Sequence, residues 1–113
     1  MNTPICDFVA AYAQKNGLRL HMPGHKGKGF LGTESMDITE IGGADVLYSP
    51  CGIIAKSQQN ASTLFGTART VYSTEGSSLC IRAMLRLALE GKKGDSKKPW
   101  ILATRNVHKA FLS

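Results

Sequence analysis

Between Arg69 and Thr104 the hydrophobic period of the chain changes twice, and this constrains its fold more than any other feature. Arg69-Thr70-Val71-Tyr72-Ser73 is β-branched and aromatic and reads as a short strand. Thr74-Glu75-Gly76-Ser77-Ser78 reads as a turn. Cys80, Ala83, Met84, Leu87 and Ala88 then recur at helical spacing up to about Gly91. After a polar linker from Lys92 to Pro99, Trp100-Ile101-Leu102-Ala103-Thr104 is almost uniformly apolar, as a strand covered on both faces would be. Strand, helix and strand in this order predict a right-handed parallel βαβ unit. Two strands are too few to stand alone, so the unit is expected within a larger α/β sheet.

Upstream, the pattern predicts two helices. Thr3 suits an N-cap and Pro4 the first helical position, where no amide hydrogen is needed. Ile5, Phe8, Val9 and Tyr12 form an apolar stripe, with Gly17 expected as a left-handed terminator. Ile53 to Phe65 is the second helix, closed by Gly66, with Ile54, Ala61, Leu64 and Phe65 expected inside. The Gly- and Pro-rich run Arg19-Leu20-His21-Met22-Pro23-Gly24-His25-Lys26-Gly27-Lys28-Gly29 is not a regular element. Asp37 to Tyr48 carries no clear period.

Several function classes are disfavoured. No apolar run approaches the roughly 20 residues needed to cross a bilayer, and no signal-peptide pattern opens the chain. Cys6, Cys51 and Cys80 are widely spaced and odd in number, as reduced thiols in a cytoplasmic protein would be. The net charge of +6 raises the possibility of a nucleic-acid surface. Much of it lies in Lys26 and Lys28 and in Lys92, Lys93, Lys97 and Lys98, without the interleaved aromatics of a single-strand binder. His21 and His25 are four apart, but Pro23 and Gly24 forbid the helix that would align them on a metal.

Two places carry chemistry. In Thr74–Ser78, Gly76 permits close backbone approach, and Ser77 and Ser78 offer hydroxyls and amide hydrogens at a helix start, a seat for phosphate. An ordinary serine cap explains the same residues equally well, and Glu75 would have to face away. Arg105-Asn106-Val107-His108-Lys109 follows the last expected strand, where α/β sheets bind ligands. There His108 is either a site residue or a polar surface residue.

Leu20–Gly27, Asp37–Glu40, Asp45–Gly52, Phe65–Thr70, Ser73–Ser78 and Arg105–Lys109 together resemble the major domain of the bacterial ornithine/lysine/arginine decarboxylases. The resemblance implies an α/β fold: the amino-terminal part of a fold-type I pyridoxal-phosphate-dependent transferase (aspartate aminotransferase-like) large domain, a parallel sheet with flanking helices. Residues 1–52 would be a helix plus a Gly/Pro-rich arm, and 53–113 the start of the sheet. It implies pyridoxal 5′-phosphate as cofactor, with Gly76, Ser77 and Ser78 around its phosphate and His108, the catalytic candidate, flat on its ring. It implies a basic amino-acid substrate (arginine, lysine or ornithine), polyamine formation, a cytoplasmic homodimer or larger homo-oligomer, and no nucleic acid, membrane or metal. The lysine that binds the cofactor covalently belongs to a Ser-x-His-Lys segment that these 113 residues lack, since Lys26 and Lys109 follow a histidine without that serine. The chain is therefore read as a portion of the domain, inactive alone, with Arg19 to Tyr48 poorly packed by itself. Other pyridoxal-phosphate chemistry (aminotransferase or lyase), or a non-catalytic basic phosphate- or RNA-binding module, are the competing readings.

Overall fold

The structure is a computed structural model that describes residues 2–15, 17–90 and 100–112. The linker and its lysine cluster (Lys92, Lys93, Lys97, Lys98) lie outside the described residues. The chain divides into two compact units, Met1–Tyr72 and Ser73–Ser113.

In the first unit, α1 spans Pro4–Gln14 and α2 spans Ile53–Phe65, and the two pack together. Pro4 opens α1 as expected. The capping is reversed, however: Thr3 accepts nothing through its side chain from the helix. Instead its Oγ1–H and N–H both donate to the Asp7 carboxylate, at 2.8 and 3.2 Å. A carboxylate in the first turn also complements the helix dipole. Ile5, Phe8, Val9 and Tyr12 are half-buried, so the expected stripe is the packed one. Gly17 is not left-handed, which corrects the expected terminator; α1 ends on Lys15, whose N–H donates to the Tyr12 carbonyl.

α2 ends as the sequence predicts, with Gly66 left-handed at φ 62°. Its buried side differs. Gln58 is buried and Ile54 and Ala61 are half-buried, whereas Leu64 and Phe65 are 67% and 71% exposed. Those two lie in the last turn of α2. Asn60 ties α2 to the chain start by donating to the Asn2 carbonyl at 2.9 Å. The Ser57 and Tyr72 hydroxyls meet at 2.9 Å.

In the second unit, α3 spans Gly76–Glu90 and packs against a short 3₁₀ turn, Lys109–Phe111. The packed stripe is Ser78, Ile81, Leu85 and Leu89, all half-buried. This is not the expected face: Cys80, Ala83, Met84, Leu87 and Ala88 are exposed. The helical period holds, but the packed stripe lies on another side of the helix.

Neither expected strand forms. Among the described residues there is no strand, and neither 69–73 nor 100–104 carries ladder hydrogen bonds. A strand's backbone groups need a neighbouring strand, and an isolated pair is marginal in water. Trp100 and Leu102 are 97% and 100% exposed, so the apolar run is uncovered. Only Ala44 and Ala110 are buried apolar residues among those described.

Residues 18–48 are held by polar contacts instead. Leu18, Leu20, Met22, Phe30, Leu31 and Tyr48 stay exposed, in keeping with the expectation of poor apolar packing. Cys6, Cys51 and Cys80 are free and exposed. No helix among the described residues is long and apolar enough to cross a membrane.

Candidate functional site

The expected phosphate seat coincides with the start of α3. Gly76 is its first residue and has φ 69°, a left-handed value that a side chain would strain. A Cβ built there meets nothing within 4 Å, so the space in front of this backbone is open. The first-turn amide hydrogens have no intrahelical carbonyl to meet, and the positive end of the dipole adds to their pull on an anion. Ser77 is exposed and Ser78 half-buried. Upstream, the Glu75 amide is turned to the Ser73 hydroxyl, to which it donates at 3.1 Å. A donor-rich helix start with an unobstructed glycine fits a phosphate group.

His108 does not sit at a strand end, which corrects the expected placement. It is the N-cap of the 3₁₀ turn, and its Nδ1 accepts the Ala110 amide hydrogen at 3.2 Å. The imidazole is exposed, and that bond fixes which ring nitrogen points at the backbone. α3 and the 3₁₀ turn pack against each other, so both candidate elements belong to one compact unit. Among the described residues no hydrogen bond joins His108 to Gly76, Ser77 or Ser78.

Two polar centres in the first unit were not anticipated. The Asp45 carboxylate collects five amide hydrogens: Oδ1 accepts from Val46 and Cys51, both at 2.9 Å, and Oδ2 from Gly52, Ile54 and Ala55 at 2.7, 3.0 and 3.4 Å. Asp45 itself has φ 68°. The Cys51 amide foremost, opposed by partial desolvation and helped by Val46, Gly52 and Ala55, holds its carboxyl well below the usual carboxylate range. It thus caps α2 from outside the helix, where Gly52 at the cap position has no side chain to do so. The sequence signal was that glycine: a helix without a capping side chain needs an acceptor from elsewhere.

The second centre is Arg19, only 9% exposed. Its guanidinium lies 4.8 Å from the Tyr12 ring centroid and donates through Nη2 to the Ser35 carbonyl at 2.7 Å. Gly27, at φ 77°, leaves the room it occupies: a Cβ there would stand 2.6 Å from the guanidinium carbon. The two histidines of this run go to separate partners. His21 Nε2 accepts from the Tyr12 hydroxyl at 2.5 Å, while its Nδ1–H donates to the Met22 carbonyl. His25 Nδ1 accepts from the Gly27 amide at 3.0 Å, and its Nε2–H donates to Asp37 at 3.1 Å. Lys26 Nζ donates to the His21 carbonyl at 2.7 Å. No cluster of three or more metal-ligating side chains occurs among the described residues.

The chain is 36% identical to an arginine decarboxylase of Halalkalibacterium halodurans over 121 aligned positions, covering 98% of this chain and 23% of that protein. Arginine decarboxylases of Bacillus cereus and Bacillus subtilis are 33% and 34% identical, again over 98% of this chain and over 25% and 24% of their own lengths. The chain therefore spans about a quarter of the length of the curated relatives it matches. No solved structure matches it. Residues 3–113 match the family described as Orn/Lys/Arg decarboxylase, major domain, and the chain belongs to that family.

Proposed function

We propose that this chain forms part of the cofactor-binding region of a pyridoxal-phosphate-dependent decarboxylase acting on a basic amino acid. The observation that carries the reading is the family match along residues 3–113, and the arginine decarboxylase names of the relatives point to the substrate class. The parallel sheet of a fold-type I enzyme, cytoplasmic location, homo-oligomeric assembly and a role in polyamine formation belong to the same reading.

Within this chain the division of labour follows the family resemblance. The amides of the α3 first turn and the Ser77 and Ser78 hydroxyls would donate to the cofactor phosphate, and Gly76 would let the backbone approach it. His108 would lie on the pyridine face, with the Ala110 amide holding its ring in one orientation. Pyridoxal phosphate, when bound, supplies the electron sink that loss of carbon dioxide requires. The chain contributes binding and orientation, and by the same reading its covalent lysine lies in a segment these residues do not include.

The reading is tested by titrating the ¹⁵N-labelled chain with pyridoxal 5′-phosphate and, separately, with pyridoxal. The phosphorylated form is expected to shift the amides of Gly76, Ser77 and Ser78 saturably, and pyridoxal to leave them in place. Equal responses to both, or no response at these amides, would overturn the phosphate seat.

A further inference from the structure

The run after α1 borders an open hollow of about 620 Å³ lined by Arg19, His25, Lys26 and Lys28 together with Leu18 and Leu20. Its volume falls within the span of about 300–1,000 Å³ usual for small-molecule sites. A smaller recess of about 100 Å³ shares Arg19, Lys26 and Lys28 with it and adds Ser35. No carboxylate lines either space among the described residues. Two acids of this run already hold partners, one of them on His25 of the hollow's own lining. Asp37 accepts from His25, and Glu34 Oε1 accepts the Leu31 amide at 2.9 Å, in the space a side chain on Gly29 would need.

Arg19 is the unusual member. A guanidinium at 9% exposure ordinarily has an anion beside it, because an uncompensated charge is costly to desolvate. Here it has only an aromatic face and two backbone carbonyls, and it forms no ion pair among the described residues. Lys28 brings a second cation whose ammonium group meets no partner among the described residues. Leu18 and Leu20, 87% and 82% exposed, place apolar surface on the same hollow.

We infer that this hollow binds a small organic oxyanion, its phosphate or carboxylate head between Arg19 and Lys28 and its apolar body against Leu18 and Leu20. None of these residues belongs to the phosphate seat at Gly76–Ser78, so the two sites stand or fall separately. The head would supply the counter-charge Arg19 lacks, and Lys28 would close on it from solvent.

The test uses three probes of similar body on the ¹⁵N-labelled 113-residue chain: phenyl phosphate, benzoate and benzyl alcohol. Phenyl phosphate or benzoate is expected to shift the amides of residues 17–28 saturably, the tighter of the two identifying the preferred head, while benzyl alcohol does not. Lys28→Ala should weaken that binding about tenfold and Lys28→Glu abolish it, with unchanged far-ultraviolet circular dichroism. Ser78→Asp, which acts on the other seat, should leave it intact. Equal response to benzyl alcohol, affinity unaffected by both Lys28 variants, or the absence of saturable shifts at 17–28 would overturn the inference.

Discussion

Asp45 Oδ2 accepts the Gly52 amide hydrogen at 2.7 Å across seven residues of chain, and the same oxygen accepts from Ile54 in the first turn of α2. One carboxylate therefore both folds the 45–52 loop and caps the helix. Asp45→Asn keeps the tolerance of the left-handed backbone but removes the charge and turns an amide group toward amide hydrogens. α2 is expected to lose ellipticity and the chain to unfold several degrees earlier. A variant melting like the parent would remove the cap from the account.

The same carboxyl gives a pH dependence with a definite sign. Its folded value is depressed below the ordinary 3.8, so its contribution is fully present above that value. The contribution declines as pH falls below 3.8 toward the depressed folded value. Glu34, lowered chiefly by the Leu31 amide, acts in the same direction. Urea midpoints measured from pH 6 downward should stay level to about pH 4.5 and then fall, and Asp45→Asn should flatten most of that decline.

Arg19 and Gly27 form a matched pair in which one side chain fills the space the other leaves. Arg19→Lys keeps the charge but loses the planar stack on Tyr12 and the fork to the Glu34 and Ser35 carbonyls, for an expected loss of about 1–2 kcal/mol. Gly27→Ala should cost at least as much, through both its positive φ and the displaced guanidinium. Denaturant titration of the two single variants and the double variant checks the pairing, since their effects should not add.

At the α3 start, conformation and charge can be tested separately. Gly76→Ala meets no atom, so its expected cost of about 1–2 kcal/mol is backbone strain alone, and Gly76→Asn should recover part of it. Ser78→Asp should weaken pyridoxal-phosphate binding by about tenfold or more, because it puts a negative charge beside the dianion. Fluorescence titration with the cofactor reads the second effect.

Borohydride reduction of the chain after incubation with pyridoxal phosphate should give scattered, substoichiometric lysine labelling and no single modified site. Arginine, lysine and ornithine should release no carbon dioxide. One stoichiometric adduct at Lys26 or Lys109, with turnover, would show that this quarter-length chain carries its own covalent lysine.

The helices were legible because their signals are local. Pro4 marked the start of α1 and Gly66 the end of α2, whereas α1 stopped short of Gly17 and α3 began at Gly76, inside the expected turn. What lay outside local reach was the partner of each face. Met84 and Leu87 satisfy helical spacing as well as Ile81 and Leu85 do, and only contact with the Lys109–Phe111 turn chooses between them. The two expected strands failed for a similar reason, since β-branched composition describes a strand only when a neighbour takes its hydrogen bonds. His108 kept its place beside Lys109, but as a turn cap. Asp45 and Arg19 were invisible as centres because most of the first's partners and all of the second's lie six or more positions away.

The scarcity of enclosed apolar side chains has a calorimetric consequence. The heat-capacity step on unfolding comes mainly from hydrocarbon newly wetted, about 0.45 cal/mol/K per Å². With Trp100, Leu102, Phe30 and Leu18 already in contact with water, little hydrocarbon remains to be wetted on heating. The chain should absorb heat over a broad interval with a step well under the roughly 1.2–1.5 kcal/mol/K typical of a domain of about 100 residues. Its stability should then vary almost linearly with temperature, without the pronounced cold-side curvature of a protein that hides its oil.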